Sequence, residues 1–196
     1  MRDDRTSALL VVDVQNDFCP GGALPVPEGD RVVPVLSRMS ERFAALGMPV
    51  YASRDWHPPD STHFKMNGGL WPVHCVQGTA GAGLREDLRL PASAMIVTKG
   101  QTRTDQGYSA IVGEIGGRGT LLEDLQTRGI DHLYVGGLAT DYCVKHSVLD
   151  ALRHGIAVTV LTDAIRAVEV APGDGDRALE QMRSSGAELD TSDEVI

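Results

Sequence analysis

Apolar runs that do not alternate with polar residues recur along the chain, and several of them end on a side chain capable of chemistry. Residues 8–13 (ALLVVD), 49–55 (PVYASRD), 94–99 (AMIVTK), 133–135 (LYV) and 156–163 (IAVTVLTD) read as strands buried on both faces, since a strand with one wet face would alternate. Between them lie helical segments: 31–46 closed by Gly47, 120–128 closed by Gly129, a helix from an N-cap at Thr140 to about His154, and 176–185 with Gly186 behind it. Residues 187–189 add an edge strand, and the acidic 190–196 tail is expected to fray. Three stretches have no period: 14–30, 56–83 and 100–119. The pattern predicts an α/β fold, a three-layer α/β/α arrangement around a mostly parallel, six-stranded, doubly wound sheet, with residues 1–196 forming one domain. Ligands of such sheets bind beyond the carboxyl ends of the strands.

That expectation singles out Asp13, Asp55 with His57, and Lys99, which fall at or just past strand ends, and Cys143, which follows the strand, Gly136 and Gly137. Cys143 is placed in the first turn of its helix, where unpaired N–H groups and the helix dipole favour a thiolate and can hold an oxyanion. A nucleophilic thiol needs a base, an acid for the leaving group and a cation beside the thiolate; Asp13 can serve as the first two and Lys99 as the third. Each has an ordinary alternative. Cys143 could be a small buried hydrophobe, Asp13 a turn residue and Lys99 a lysine reaching out to solvent. His146, on the same helix as Cys143, reads as a surface residue.

A second grouping joins Asp55 and His57 to His63 and His74, three of the six histidines within one irregular segment. Imidazoles with a carboxylate suit Zn²⁺, Fe²⁺ or Mn²⁺, and an incomplete ligand set leaves a position for water or substrate. Trp56 and Trp71 flank these residues, either as core aromatics or as walls of a flat pocket.

Composition narrows the ligands. A net charge of -9 and a pI near 5.0, with no run of basic residues, exclude nucleic acid and anionic membrane as natural partners. No apolar run approaches the ~20 residues of a membrane span, and residues 1–7 mix charges and lead into a strand, so a cytoplasmic protein is expected. Cys19, Cys75 and Cys143 are an odd number without C-x-x-C spacing and are expected to be reduced. Neither a P-loop nor a G-x-G-x-x-G follows the first strand.

The runs 11–18 (VVDVQNDF), 98–100 (TKG) and 136–144 (GGLATDYCV) together resemble the cysteine hydrolase superfamily that includes isochorismatase and nicotinamidase. The added 55–57 (DWH), His63 and 71–75 (WPVHC) are similar to the nicotinamidase branch. The resemblance spans residues 8 to about 163 and implies the isochorismatase-like hydrolase fold, with Cys143 as nucleophile, Asp13 as general acid/base and Lys99 as third member of the triad. It implies that Asp55, His57, His63 and His74 hold one divalent ion, Zn²⁺ first with Fe²⁺ or Mn²⁺ as alternatives. Phe18 and Trp71 match pocket walls, Tyr108 lines the pocket, and the N–H groups of Ala139 and Cys143 match the oxyanion hole behind a cis peptide at Leu138–Ala139. The implied reaction hydrolyses nicotinamide to nicotinate and ammonia in NAD salvage, with pyrazinamide as a second substrate. Ile111 departs from the Phe many relatives carry after Y-S-[AG], which bears on pocket shape. Other readings of the same residues are a sister amide or N-carbamoyl hydrolase, an iron oxygenase built on Asp55, His57 and His74, and a non-catalytic binding module. A homo-oligomer is compatible with the chain.

Overall fold

A strand whose six side chains are all buried, β1 (Ser7–Val12), forms the middle of the sheet. The computed structural model describes residues 6–195; the charged stretch before β1 and Ile196 lie outside them. Around β1 are β2 (Val50–Asp55), β3 (Met95–Lys99), β4 (His132–Leu138), β5 (Ala157–Arg166) and β6 (Glu188–Asp190), in the order β3-β2-β1-β4-β5-β6. The expected mostly parallel sheet is parallel at every pairing. The chain builds outward from β1 to β3 and then returns to lay β4 against the other side of β1. The crevice of such a sheet opens where this order reverses.

Side-chain alternation in β1 divides the core. Leu9 and Val11 face α1 (Val32–Ala45), packing with Val32, Leu36 and Phe43. Ala8, Leu10 and Val12 face the opposite layer of α2 (Leu121–Thr127), α3 (Lys145–Arg153) and α4 (Asp174–Ser184), through Leu125, Val148 and Met182. Both faces of the sheet are thus covered, one core on each, as the unbroken apolar runs require. Among the described residues, no helix is long and apolar enough to cross a membrane.

Four local expectations are corrected. The pair Gly136–Gly137 does not end the strand: β4 runs through it to Leu138, with a register shift against β5 between Val135 and Gly137. Gly137 has φ +130°, and a Cβ there would stand 2.0 Å from the Val12 carbonyl oxygen, so glycine permits close approach of β1 and β4 rather than a turn. Thr140 is not a side-chain cap; Ala139 is the extended residue before the turn, and Thr140–Val144 form one π-helical turn that precedes α3. β5 continues three residues beyond the predicted 163. The tail is tied down as far as residue 195: the Ser192 N–H and hydroxyl both donate to the Asp163 carboxylate, and Val195 is buried.

Candidate active site

Strand ends deliver the polar groups, as the pattern of runs predicts. Asp13 follows β1, Asp55 ends β2, Lys99 ends β3, and Cys143 sits in the π turn after β4. All four are at least nine-tenths buried. Lys99 Nζ is 2.7 Å from Asp13 Oδ2, paired with Asp55 Oδ1 and the Gly107 carbonyl, and 3.5 Å from Cys143 Sγ. Its approach to Asp13 is an ion pair without regular hydrogen-bond direction. The enclosed ammonium excludes the solvent-reaching alternative for Lys99. Ser53 locks Asp13 by donating its hydroxyl to Oδ1 at 2.7 Å while accepting the Asp13 N–H at 3.3 Å.

Burial dominates the protonation of this group. It raises the Asp13 carboxyl, with Lys99 opposing and Asp55 reinforcing. Burial would raise Asp55 too, but Lys99 and His57 overcome it and hold Asp55 below the usual carboxylate range. Lys99, which burial alone would lower, is held well above its ordinary value by the two carboxylates and Cys143. The Cys143 thiol is pushed well up by burial, against the pull of Lys99 and with Asp13 and Asp55 adding to the rise. The helix end favours a thiolate, but burial acts more strongly in the other direction, so the thiol needs the base that the sequence reading assigns to it.

The three histidines converge. One ring nitrogen from each of His57, His63 and His74 lies within 4.8 Å of the others. His63 Nδ1 pairs with Gln106 Oε1 at 2.9 Å and His74 Nδ1 with the Pro72 carbonyl at 2.8 Å, which leaves both Nε2 atoms for a common ligand. Both ring nitrogens of His57 are buried without a hydrogen-bond partner, although Nε2 stands 3.5 Å from Asp55 Oδ2. Orphaned buried nitrogens are costly, and a divalent cation with Asp55 beside it is the group that would satisfy the one that faces His63 and His74. Gly100, at φ +69°, admits the His57 ring: a Cβ there would lie 2.6 Å from Cε1. Asp13, Asp55 and Cys143 also come within 4.8 Å of one another, but the Lys99 ammonium already supplies the cation at that point.

Burial lowers His63 to about 4 and lowers His74, with neighbouring histidines adding in both cases. Unfolded histidine titrates near 6.5, so the unfolded chain takes up protons first as pH falls. The stability of the metal-free protein is expected to drop between about pH 6.5 and 4, by a melting-temperature change on the order of a few degrees. Thermal melts in chelator across that window check this; His63→Gln should flatten the slope, and an equal slope in that variant would remove His63 as its source.

Phe18, Trp71 and Tyr108 line a cleft of about 340 Å³, counted to its open mouth, with Asp55, His63, His74, Ala139 and Cys143 on the same walls. Leu24, Val26, Tyr142 and Val168 complete it. These four escaped the sequence reading because they lie in loops or turns, where no period marks an inward side chain. Trp56 is elsewhere, under the Arg54 guanidinium at 4.0 Å. Ile111 belongs to the buried core rather than to the cleft, which removes its bearing on the pocket wall. Leu138–Ala139 is a cis peptide, and the Tyr142 and Val144 N–H groups both donate to the Ala139 carbonyl. Gln15 was also missed: its amide accepts the Asp55 N–H at 2.8 Å and donates to the Asp55 carbonyl at 2.9 Å, holding the end of β2. No period marks it, because the Gln15 N–H turns back to the Asp13 carbonyl and Asp13 itself has φ +48°, so the strand alternation has already ended there.

A doubly wound sheet with a buried thiol, carboxylate and ammonium at its switch point is the arrangement of a cysteine hydrolase, and the chain belongs to the isochorismatase family. The Isochorismatase domain model matches residues 7–194. The chain is 43% identical to the nicotinamidase of Escherichia coli, over 94% of each sequence. Among solved structures it is similar to the pyrazinamidase of Pyrococcus horikoshii in complex with zinc, at 42% identity and a TM-score of 0.86, covering 95% of this chain and 99% of that one. It is also similar to PnC1 of L. infantum in complex with nicotinate, at 32% identity and a TM-score of 0.84, covering 99% and 96%.

Proposed function

We propose that this chain, read as one domain over residues 1–196, is a nicotinamidase: a metal-dependent cysteine amidohydrolase that converts nicotinamide to nicotinate and ammonia in NAD salvage and also accepts pyrazinamide. The observation that carries this is one cleft shared by a thiol–carboxylate–ammonium group, a histidine cluster and aromatic walls. Nicotinamide has a flat, neutral ring with a basic nitrogen at one side and a carboxamide at the other, so it needs those three features at once.

Asp55, His57, His63 and His74 would hold a divalent ion, zinc by their donor chemistry, which when bound supplies a Lewis-acid seat for the ring nitrogen. Phe18 and Trp71, with Tyr108, would wall the ring and exclude water from it. The Asp13 carboxylate takes the Cys143 proton, while Lys99 keeps compensating the negative charge as it passes from oxygen to sulfur. The thiolate then attacks the carboxamide carbon, and the carbonyl electron pair moves to an oxygen facing the N–H groups of Ala139 and Cys143. One donor of that kind is worth ~3 kcal/mol in the transition state. Protonated Asp13 gives its proton to the departing nitrogen, the C–N bond breaks and ammonia leaves. Asp13 next removes a proton from water, the hydroxide adds to the thioester, and the C–S bond breaks to give nicotinate. The Cys143 thiolate recovers its proton from Asp13.

Ammonia release from nicotinamide tests the reading. Release is expected to fall by at least about tenfold on chelation and to return on adding Zn²⁺, Fe²⁺ or Mn²⁺, because neighbouring ligand-shell changes alone cost 10–100-fold. Release that ignores chelation would overturn the metal requirement. No release with any of the three ions would overturn the nicotinamide assignment, and oxygen uptake instead would identify iron oxygenase chemistry on Asp55, His57 and His74.

A further inference from the structure

Tyr108 reaches the cleft from a loop and is held at three points. Its backbone is pinned because the preceding Gly107 gives its carbonyl to Lys99. Its hydroxyl accepts a hydrogen bond from Trp71 Nε1 at 3.0 Å. The third contact comes from His146 on α3, whose imidazole stacks on the phenol ring with centroids 5.1 Å apart and planes 18° from parallel. His146 is half-buried and does not line the cleft itself.

These contacts do different work. A tyrosine hydroxyl lies on the axis about which the ring rotates, so the hydrogen bond from Trp71 anchors the tip of Tyr108 and leaves the plane of the ring free to turn. A flat group against one face removes that freedom. The plane matters because Tyr108 meets His63 at 5.3 Å and 65°, and Tyr142 at 5.8 Å, so turning the ring would change the wall shared by the histidine cluster and the cleft. His146 follows Cys143 by three residues and Tyr142 by four, so the brace stands at the start of α3, directly after the π turn that carries the nucleophile.

We infer that His146 is a positioning residue for substrate binding, acting by stacking on Tyr108 and fixing the plane of its ring. The inference rests on the nicotinamidase reading. It concerns binding of the substrate ring and leaves the thiol chemistry untouched, so its signature is in KM. His146→Ala is expected to raise KM for nicotinamide roughly threefold to tenfold, the range of an aromatic pair, with kcat within about twofold of the parent. His146→Phe, which restores a flat face without the imidazole nitrogens, is expected to return KM to within about twofold of the parent. In aromatic ¹³C spectra, Tyr108 ring flipping should quicken in His146→Ala and slow again in His146→Phe. Parent protein that releases no ammonia would defeat the nicotinamidase reading, a result separate from any difference between variants. With an active parent, an unchanged KM in His146→Ala, or a loss confined to kcat and thermal stability, overturns the positioning role. Failure of His146→Phe to rescue KM overturns stacking as its cause.

Discussion

Cys143→Ala is expected to release no measurable ammonia, a loss of at least about 10⁴-fold, while metal content and product binding stay at parent levels. The size follows from what the thiol does: without Sγ there is no thioester, and water would have to attack an unactivated amide directly. The sparing of metal follows from the separation of the two groups. His57, His63 and His74 gather without the sulfur, and Asp55, which stands between them and Lys99, does not depend on Cys143 for its place. Ammonia release, metal analysis of the purified variant and calorimetric titration with nicotinate measure the three quantities. Substantial turnover in Cys143→Ala would sink the covalent mechanism. Loss of metal together with activity would move the ion from the histidines to the cysteine side.

Lys99→Met is expected to be damaging twice over. Asp13 and Asp55 are buried on either side of the ammonium, and burial alone acts to raise both carboxyls. Removing the cation leaves two like charges out of water, a change that typically costs 3–5 kcal/mol when a buried pair is broken, so about that loss of stability is expected. The carboxyls of the variant would then titrate above their unfolded values. Groups raised in this way stabilise the folded state at low pH and cease to do so as pH rises through the folded value, so Lys99→Met should be less deficient at pH 5 than at pH 8. Adding Asp13→Asn removes one of the two charges and should restore part of the stability, as coupled neighbours do. Activity should fall by roughly 10²–10⁴-fold, because proton transfer between Asp13 and Cys143 depends on the compensating charge. Urea unfolding of the single and double variants at both pH values checks the stability claim. A single variant as stable as the parent at pH 8, with activity within tenfold, would show that Lys99 is not what balances these carboxylates.

Read from its residues alone, the chain already declared its layers and the ends of its strands. Runs such as 8–13 have no wet face, so they must lie in a sheet covered on both sides, and the residue closing each run must then point toward a common edge. That is why Asp13, Asp55 and Lys99 were legible as a group and why the resemblance around Cys143 led to the same place. The histidines were legible as a cluster by proximity in sequence, since 57, 63 and 74 occupy one irregular segment.

Charge state and fine geometry were decided elsewhere. Whether Cys143 rests as thiol or thiolate depends on how much water is excluded around it and on which of Lys99, Asp13 and Asp55 stands nearest, quantities that no local pattern encodes. The same holds for Gly137, whose lack of a side chain is required by the Val12 backbone of another strand, and for Gln15, whose amide grips the end of β2 forty residues away. His146 looks like an exposed position on a polar helix face because the ring it braces arrives from a loop with no period of its own. Sequence determined which groups meet at the edge of the sheet, because hydrophobic burial is written residue by residue. Only the tertiary structure decided their protonation, their orientation and their supports, because those arise from contacts between segments distant along the chain.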